Sequence, residues 1–265
     1  MNIFSQEFKM QLKSLLSYTI GILLTFYMFV SLFNIISADT AILDAILANF
    51  PKEFKAAFGF ADVSLSEING YLSFLYSYVI LIGAVYSMKL SVTVLSEETR
   101  AKTADFLLSK PVQRYQIVTA KLSAVLLSLI VQNILVFCLC LPAAWIVDAS
   151  QINLKFFMLL SGSMFLVQLF FVGIGLFVSV ILKKIKSVMP VTLGIVFMFY
   201  IIEMINQSLL EQKLTYLTPF SYFRGSELLS NLQFDFKYVI LDLTIFTILL
   251  LMSYGIYQRK DIHAV

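Results

Sequence analysis

Four stretches of this sequence run without a single charged residue: Ser14 to Ala38, Ile68 to Met88, Leu122 to Val147 and Phe156 to Leu182. Each is as long as the roughly 20 apolar residues that a helix needs to cross a bilayer core. In lipid every backbone N–H and C=O must be satisfied within the chain, so such runs are restricted to helices or closed barrels, and uncharged runs of this length and continuity suit helices. Two more runs, Ser187 to Ile202 and Leu243 to Gln258, are shorter and reach spanning length when Glu203 and Asp242 are taken inside their outer ends. Six spans are expected, at about 15–37, 69–94, 116–142, 156–182, 187–207 and 237–257, in an all-α integral membrane protein with one transmembrane domain over 1–265. Composition agrees: 60% of the residues are hydrophobic and 13% charged, where soluble domains have about 45–50% and about 25%.

Short loops keep Lys and Arg on the cytoplasmic side. With the amino terminus inside, 13 of the 19 basic residues fall inside: Lys9, Lys13, Lys89, Arg100, Lys102, Lys110, Arg114, Lys121, Lys183, Lys184, Lys186, Arg259 and Lys260. Lys52, Lys55, Lys155, Lys213, Arg224 and Lys237 fall outside. A multi-pass protein of the cell membrane with both termini cytoplasmic is therefore expected. Spread in this way, the net charge of +3 marks topology and not a nucleic-acid face, so no nucleic acid is expected as a partner. The first run is longer than the about 7–15 residues of a signal core and reads as a retained anchor. Cys138 and Cys140, two apart on a helix, point to nearly opposite faces and cannot bridge each other.

Residues 2–16 place Phe4, Phe8, Leu12 and Leu15 at helical spacing, with Gln6, Lys9 and Lys13 off that stripe. This pattern suits an amphipathic helix lying on the inner membrane surface; a plain cytoplasmic extension of the first span is the alternative. In the first outer loop, apolar residues recur every three or four positions up to Pro51, which ends or bends a helix. In the last, "YLTPFSYFRGSELL", Pro219 and Gly225 punctuate short turns between aromatic residues. No loop is long enough for a second hydrophobic core, and no internal repeat is evident.

The most charged stretch is "SEETRAKTADFLLSKPVQRYQIVTAKL", Ser96 to Leu122, inside by the charge count and between the second and third spans. Thr103 to Ser109 reads as a short helix, capped by Thr103, apolar at Phe106 and Leu107, and stopped by Pro111. Apolar residues facing the cytoplasm need a cover, either the membrane surface or a partner.

Residues 97–122 resemble the first cytoplasmic loop of the type 2 family of ABC exporter permeases. Glu97, Glu98, Thr103, Leu107, Leu108, Ser109, Pro111, Val112, Arg114, Ile117 and Lys121 match its pattern in order, whereas Lys102 and Ala120 stand where glycine is usual. "FPKEFKAAFG", "NGYLSFLYSYV", "YLTPFSYF" and "QRKDI" extend the likeness over most of the chain. The resemblance implies a half-transporter permease, working with a second permease, identical or not, and with cytoplasmic ABC ATPase subunits amid membrane lipids. Residues 103–109 would then be a coupling helix seated in the ATPase, with Glu97, Glu98, Thr103, Phe106, Leu107, Leu108, Pro111 and Arg114 as its docking residues. The chain has no Gly-x-x-x-x-Gly-Lys-Ser/Thr loop, so it is not expected to be an enzyme or to bind a cofactor; ATP and Mg²⁺ would belong to the partner. The implied cargo is a hydrophobic or amphipathic compound, such as a membrane-active peptide, antibiotic or lipid-like molecule. A non-transporting scaffold or sensor that recruits an ATPase is the other reading.

Inside the spans, Glu203 and Asp242 either line an outer vestibule or simply end their helices, reaching water, headgroups, Lys237 or Arg224. Gln132, Asn133 and Gln168 are expected to bond between helices. Gly173 and Gly175 allow close helix approach, and Trp145, Tyr71 and Tyr238 are expected at the outer interface. His263 is alone on a tail, and neither a metal set nor a nucleophile arrangement is seen.

Overall fold

The computed structural model describes residues 3–38, 49–59, 63–101, 113–148, 151–182, 185–209 and 214–259. Among them, the regular structure is helical: α1 (Ile3–Ala38), α2 (Lys52–Ala57), α3 (Ile68–Ala101), α4 (Arg114–Asp148), α5 (Leu154–Ile181), α6 (Val188–Ser208), α7 (Pro219–Tyr222), α8 (Gly225–Asn231) and α9 (Phe236–Arg259). A 3₁₀ turn at Thr215–Leu217 precedes α7. Six helices, α1, α3, α4, α5, α6 and α9, are long and apolar enough to cross a membrane. Both α6 and α9 reach that length with their acidic residue, Glu203 or Asp242, inside.

The bundle is organised around α3. Of its most apolar stretch 78% is buried, against 22% for α6 and 11% for α9, so α3 is the axis and α6 and α9 lie at the periphery. Small residues let α5 approach it closely. A Cβ on Gly175 would lie 2.6 Å from the Cβ of Ser91 and 3.1 Å from the Met88 carbonyl oxygen, and one on Gly83 would lie 2.9 Å from Cε of Met164. Gly173, on another side of α5, faces α9, where a Cβ would meet the Cα of Phe246 at 3.3 Å. The two glycines thus serve two neighbours within one chain.

The interior amides complete this core. Gln168 of α5 donates to Oε1 of Gln132 on α4 at 2.8 Å and to the Gly83 carbonyl of α3 at 3.3 Å, while Asn133 of α4 donates to Oε1 of Gln168 at 2.6 Å. Three helices are joined by two residues of α4 and one of α5.

The interfacial helix expected at 2–16 is not separate: α1 is one helix of 36 residues, about 54 Å long at about 1.5 Å per residue. No glycine or proline interrupts it before Gly21. Its buried face cuts across the apolar stripe: Leu15 is buried and Phe4 and Phe8 are half-buried, whereas Leu12 is 37% exposed and the polar Gln11 is buried. Pro51 precedes the short helix α2; residues 39–48, where a helix ending at Pro51 was expected, lie outside the described residues. Pro219 and Gly225 each open a short helix, Pro219 at a first-turn position where its missing N–H costs nothing. Tyr71, expected at the interface, is buried and donates to the Phe29 carbonyl at 2.7 Å; Trp145 is 45% exposed. α4 continues through Pro142 to Asp148, and Tyr27 of α1 donates to the Leu139 carbonyl beside that proline at 2.9 Å.

Replacing Gly175 with Leu forces the side chain into Ser91 and the α3 backbone, with an expected cost of about 1–3 kcal/mol for overpacking. The measurement is the melting temperature of the protein in detergent, which should fall by several degrees, whereas Gly194→Leu, a glycine with open space around it, should leave it unchanged.

Candidate functional site

The charged segment joins α3 to α4, and its placement sets the first candidate region. Thr103, Phe106, Leu107, Leu108 and Pro111 lie outside the described residues, as do the side chains of Glu97, Glu98 and Arg114. The backbone of Glu97 and Glu98 belongs to the last turns of α3, and Arg114 is the first residue of α4.

The roots of this segment are fastened together. Lys121, about two turns into α4, is 2% exposed. Its Nζ donates to the carbonyl of Val94, about two turns before the end of α3, at 2.7 Å, and to Oε1 of Glu7 on α1, also at 2.7 Å. One ammonium thus holds three helices at the level where the charged segment leaves the bundle. Further along α1, Gln11 Oε1 accepts from Ser128 of α4 at 2.7 Å, and Ser14 accepts from Lys89 of α3 at 3.0 Å. Lys89 also lies 4.8 Å from the ring centre of Tyr18. Sequence reasoning included Lys121 only as a motif position and missed Glu7 and Gln11. The signal was there in the spacing Glu7, Gln11, Ser14, Tyr18, a polar stripe at helical period beside the apolar one.

The opposite end of the bundle carries the second region. Glu203, 4% exposed near the end of α6, accepts from Arg224 Nε at 2.8 Å and from Gln207 at 2.7 Å on Oε1, and from the hydroxyl of Ser221 on Oε2. One turn on, Asn206 donates to Thr215 at 3.1 Å and to Ser221 at 3.2 Å, and its Oδ1 accepts from the Leu214 amide at 2.9 Å. Thr218 donates to the Phe199 carbonyl at 3.0 Å. The segment 214–224 is thereby stitched onto α6. Burial, with smaller contributions from Asp242 and Tyr238, pushes the Tyr222 phenol up to about 12, so it stays a neutral donor to the Tyr216 carbonyl, 2.7 Å away.

Glu203 and Arg224 border a cavity of about 80 Å³ between α3 and α6, walled by Phe58, Phe74, Tyr200, Phe220 and Phe223. Its character is aromatic, with the one carboxylate at its edge already neutralised by the guanidinium. Asp242 is not part of it. That residue is fully buried on α9, with no hydrogen-bond partner for either oxygen among the described residues. The two acids singled out from the sequence therefore occupy different environments, one paired and one not. Lys237, the nearest base in sequence, turns away to the Tyr216 hydroxyl.

Comparison with known families gives a match over residues 1–262 to the family described as ABC-2 family transporter protein. No curated protein matches the chain.

Glu203→Ala leaves the guanidinium of Arg224, 11% exposed, with only the longer contact to the Glu227 carboxylate at 3.8 Å, a loss of at most the about 3–5 kcal/mol seen when one partner of a buried pair is removed. Limited proteolysis should then cut within 214–224, and the double variant Glu203→Gln/Arg224→Met should resist better than Glu203→Ala. Asp242→Asn removes a buried ionisable group that has no partner and should keep or raise the melting temperature. A fall of several degrees would point to a partner from another chain.

Proposed function

The chain belongs to the ABC-2 family of transporter proteins, a membrane permease component of ABC transporters and not their ATPase, and on that premise we propose that it is the permease half of an ATP-driven exporter. It moves a hydrophobic or amphipathic cargo, a membrane-active peptide, antibiotic or lipid-like compound, out of the cytoplasm or inner leaflet. Both termini and residues 102–112 face the cytoplasm, in keeping with the 13 basic residues assigned to that side. The 102–112 segment docks in a separate ABC ATPase, which binds ATP and Mg²⁺, and a second permease, identical or different, completes the pathway.

The observation that carries this reading is how α3 and α4 deliver the charged segment. They have 34 and 35 residues, about 51 and 52 Å at about 1.5 Å each, against a hydrocarbon core of about 30 Å. Helices of that length favour a segment standing clear of the bilayer, which supports a partner protein over the membrane surface as the cover for Phe106, Leu107 and Leu108. The Lys121 tie supports the same reading, because ATP-driven movement at the dock tilts the helices only if their roots are rigid.

Leu107→Asp and Leu108→Asp together should abolish co-purification of the ATPase while the permease still inserts. A complex that survives both substitutions sinks the dock. With the intact complex in inverted vesicles, candidate amphipathic peptides should speed ATP hydrolysis and accumulate inside; hydrolysis without accumulation would instead indicate a scaffold that recruits the ATPase.

A further inference from the structure

From the ties at the loop end we infer that Glu7 and Lys121 form a transmission clamp: they make the first helix move with the two helices that carry the ATPase dock. This rests on the reading of residues 102–112 as that dock. Glu7 and Lys121 are positioning residues in this scheme; neither is proposed to touch nucleotide or cargo.

Three features of the geometry support it. First, the Lys121 ammonium is bonded at 2.7 Å both to a carboxylate of α1 and to a main-chain carbonyl of α3, so a shift of α4 cannot leave either helix behind without exposing a buried cation. Second, the contact lies about two turns from both roots of the dock and about one turn from Ser91, where α3 packs closely against Gly175 of α5. Third, the same edge of α1 repeats the connection: Gln11 takes a bond from α4 and Ser14 takes one from α3. Further along, α1 packs into the core with Ile22 and Phe26 fully buried, and 28% of its most apolar stretch is buried in all. Its polar inner edge is the part of this contact nearest the dock and so the first to receive displacement from it. A continuous helix then carries that displacement over its whole length, since no break lies between Ile3 and Ala38.

The test uses the intact permease–ATPase complex in nanodiscs, with hydrogen–deuterium exchange read by mass spectrometry before and after trapping with ATP, Mg²⁺ and vanadate. In the unaltered complex, trapping should change uptake in peptides of α1 as well as in those flanking 102–112. In Glu7→Gln and in Lys121→Met, the change at the flanks should persist while the change in α1 falls at least threefold. Lys121→Arg, which keeps the charge and can still donate to both the Glu7 carboxylate and the Val94 carbonyl, should retain most of it. Ser128→Ala, which cuts the Gln11 tie and strands no charge, should give about a twofold loss. If the single charge-removing variants fail to assemble, Ser128→Ala and Lys121→Arg decide. A variant set that melts lower yet keeps the full trapping response in α1 would overturn the clamp and leave a structural staple. An unaltered complex with no trapping response at the flanks would overturn the dock reading itself.

Discussion

Where α3 passes α5 there is no room for a side chain on Gly175, and the rest of the bundle is arranged about that line of near contact. Helices in lipid gain nothing from hiding apolar surface from each other, since the acyl chains are equally apolar; close packing and internal hydrogen bonds have to hold them. Both are present at α3. The glycines bring main chains within van der Waals range, and the Gln132, Gln168 and Asn133 amides close a network among α3, α4 and α5 on the same axis. The peripheral α6 and α9 then present mostly apolar faces outward, as their low burial requires.

The two ends of this bundle solve different problems. At the loop end, polar groups are turned inward to lock three helices together, Glu7 and Lys121 foremost. At the other, Glu203 and Arg224 fix an aromatic-rich cap onto α6. In both places an acid on one helix meets a base far away in sequence, and neither charge is left facing an apolar environment alone. Asp242 breaks that pattern, with both carboxylate oxygens lacking hydrogen-bond partners among the described residues.

The spans were legible because a membrane helix announces itself by the absence of charge over a length set by the bilayer. Thus α5, at Leu154–Ile181, falls almost where the run Phe156 to Leu182 put it. Amide bonding between helices was legible for the same reason: Gln168 in a greasy run has nowhere else to turn. What misled was a rule made for water. The stripe of Phe4, Phe8, Leu12 and Leu15 was read as the face laid on the membrane; Leu15 turns inward and Leu12 is exposed, and inside a membrane bundle the polar edge, Glu7 and Gln11, also seeks shelter. Arg224 was one of the partners the sequence offered for Glu203 or Asp242, but which acid takes it depends on how short helices fold back over α6 across 21 positions, and no local spacing encodes that. The docking residues expected at 103–111 lie outside the described residues, so the likeness to permease loops remains their support.

Pro142 gives α4 an uneven stiffness. A proline offers no amide hydrogen to the carbonyl of Cys138, and its ring crowds that oxygen, so the ladder of bonds along the rod has a missing rung there. Tyr27 braces the neighbouring carbonyl from the side, which steadies the joint without replacing the rung. Mechanically α4 is two beams in series. The long one is bolted at its base and stiff, and bending strain in the short one, which ends beside Trp145, collects at a single known vertebra.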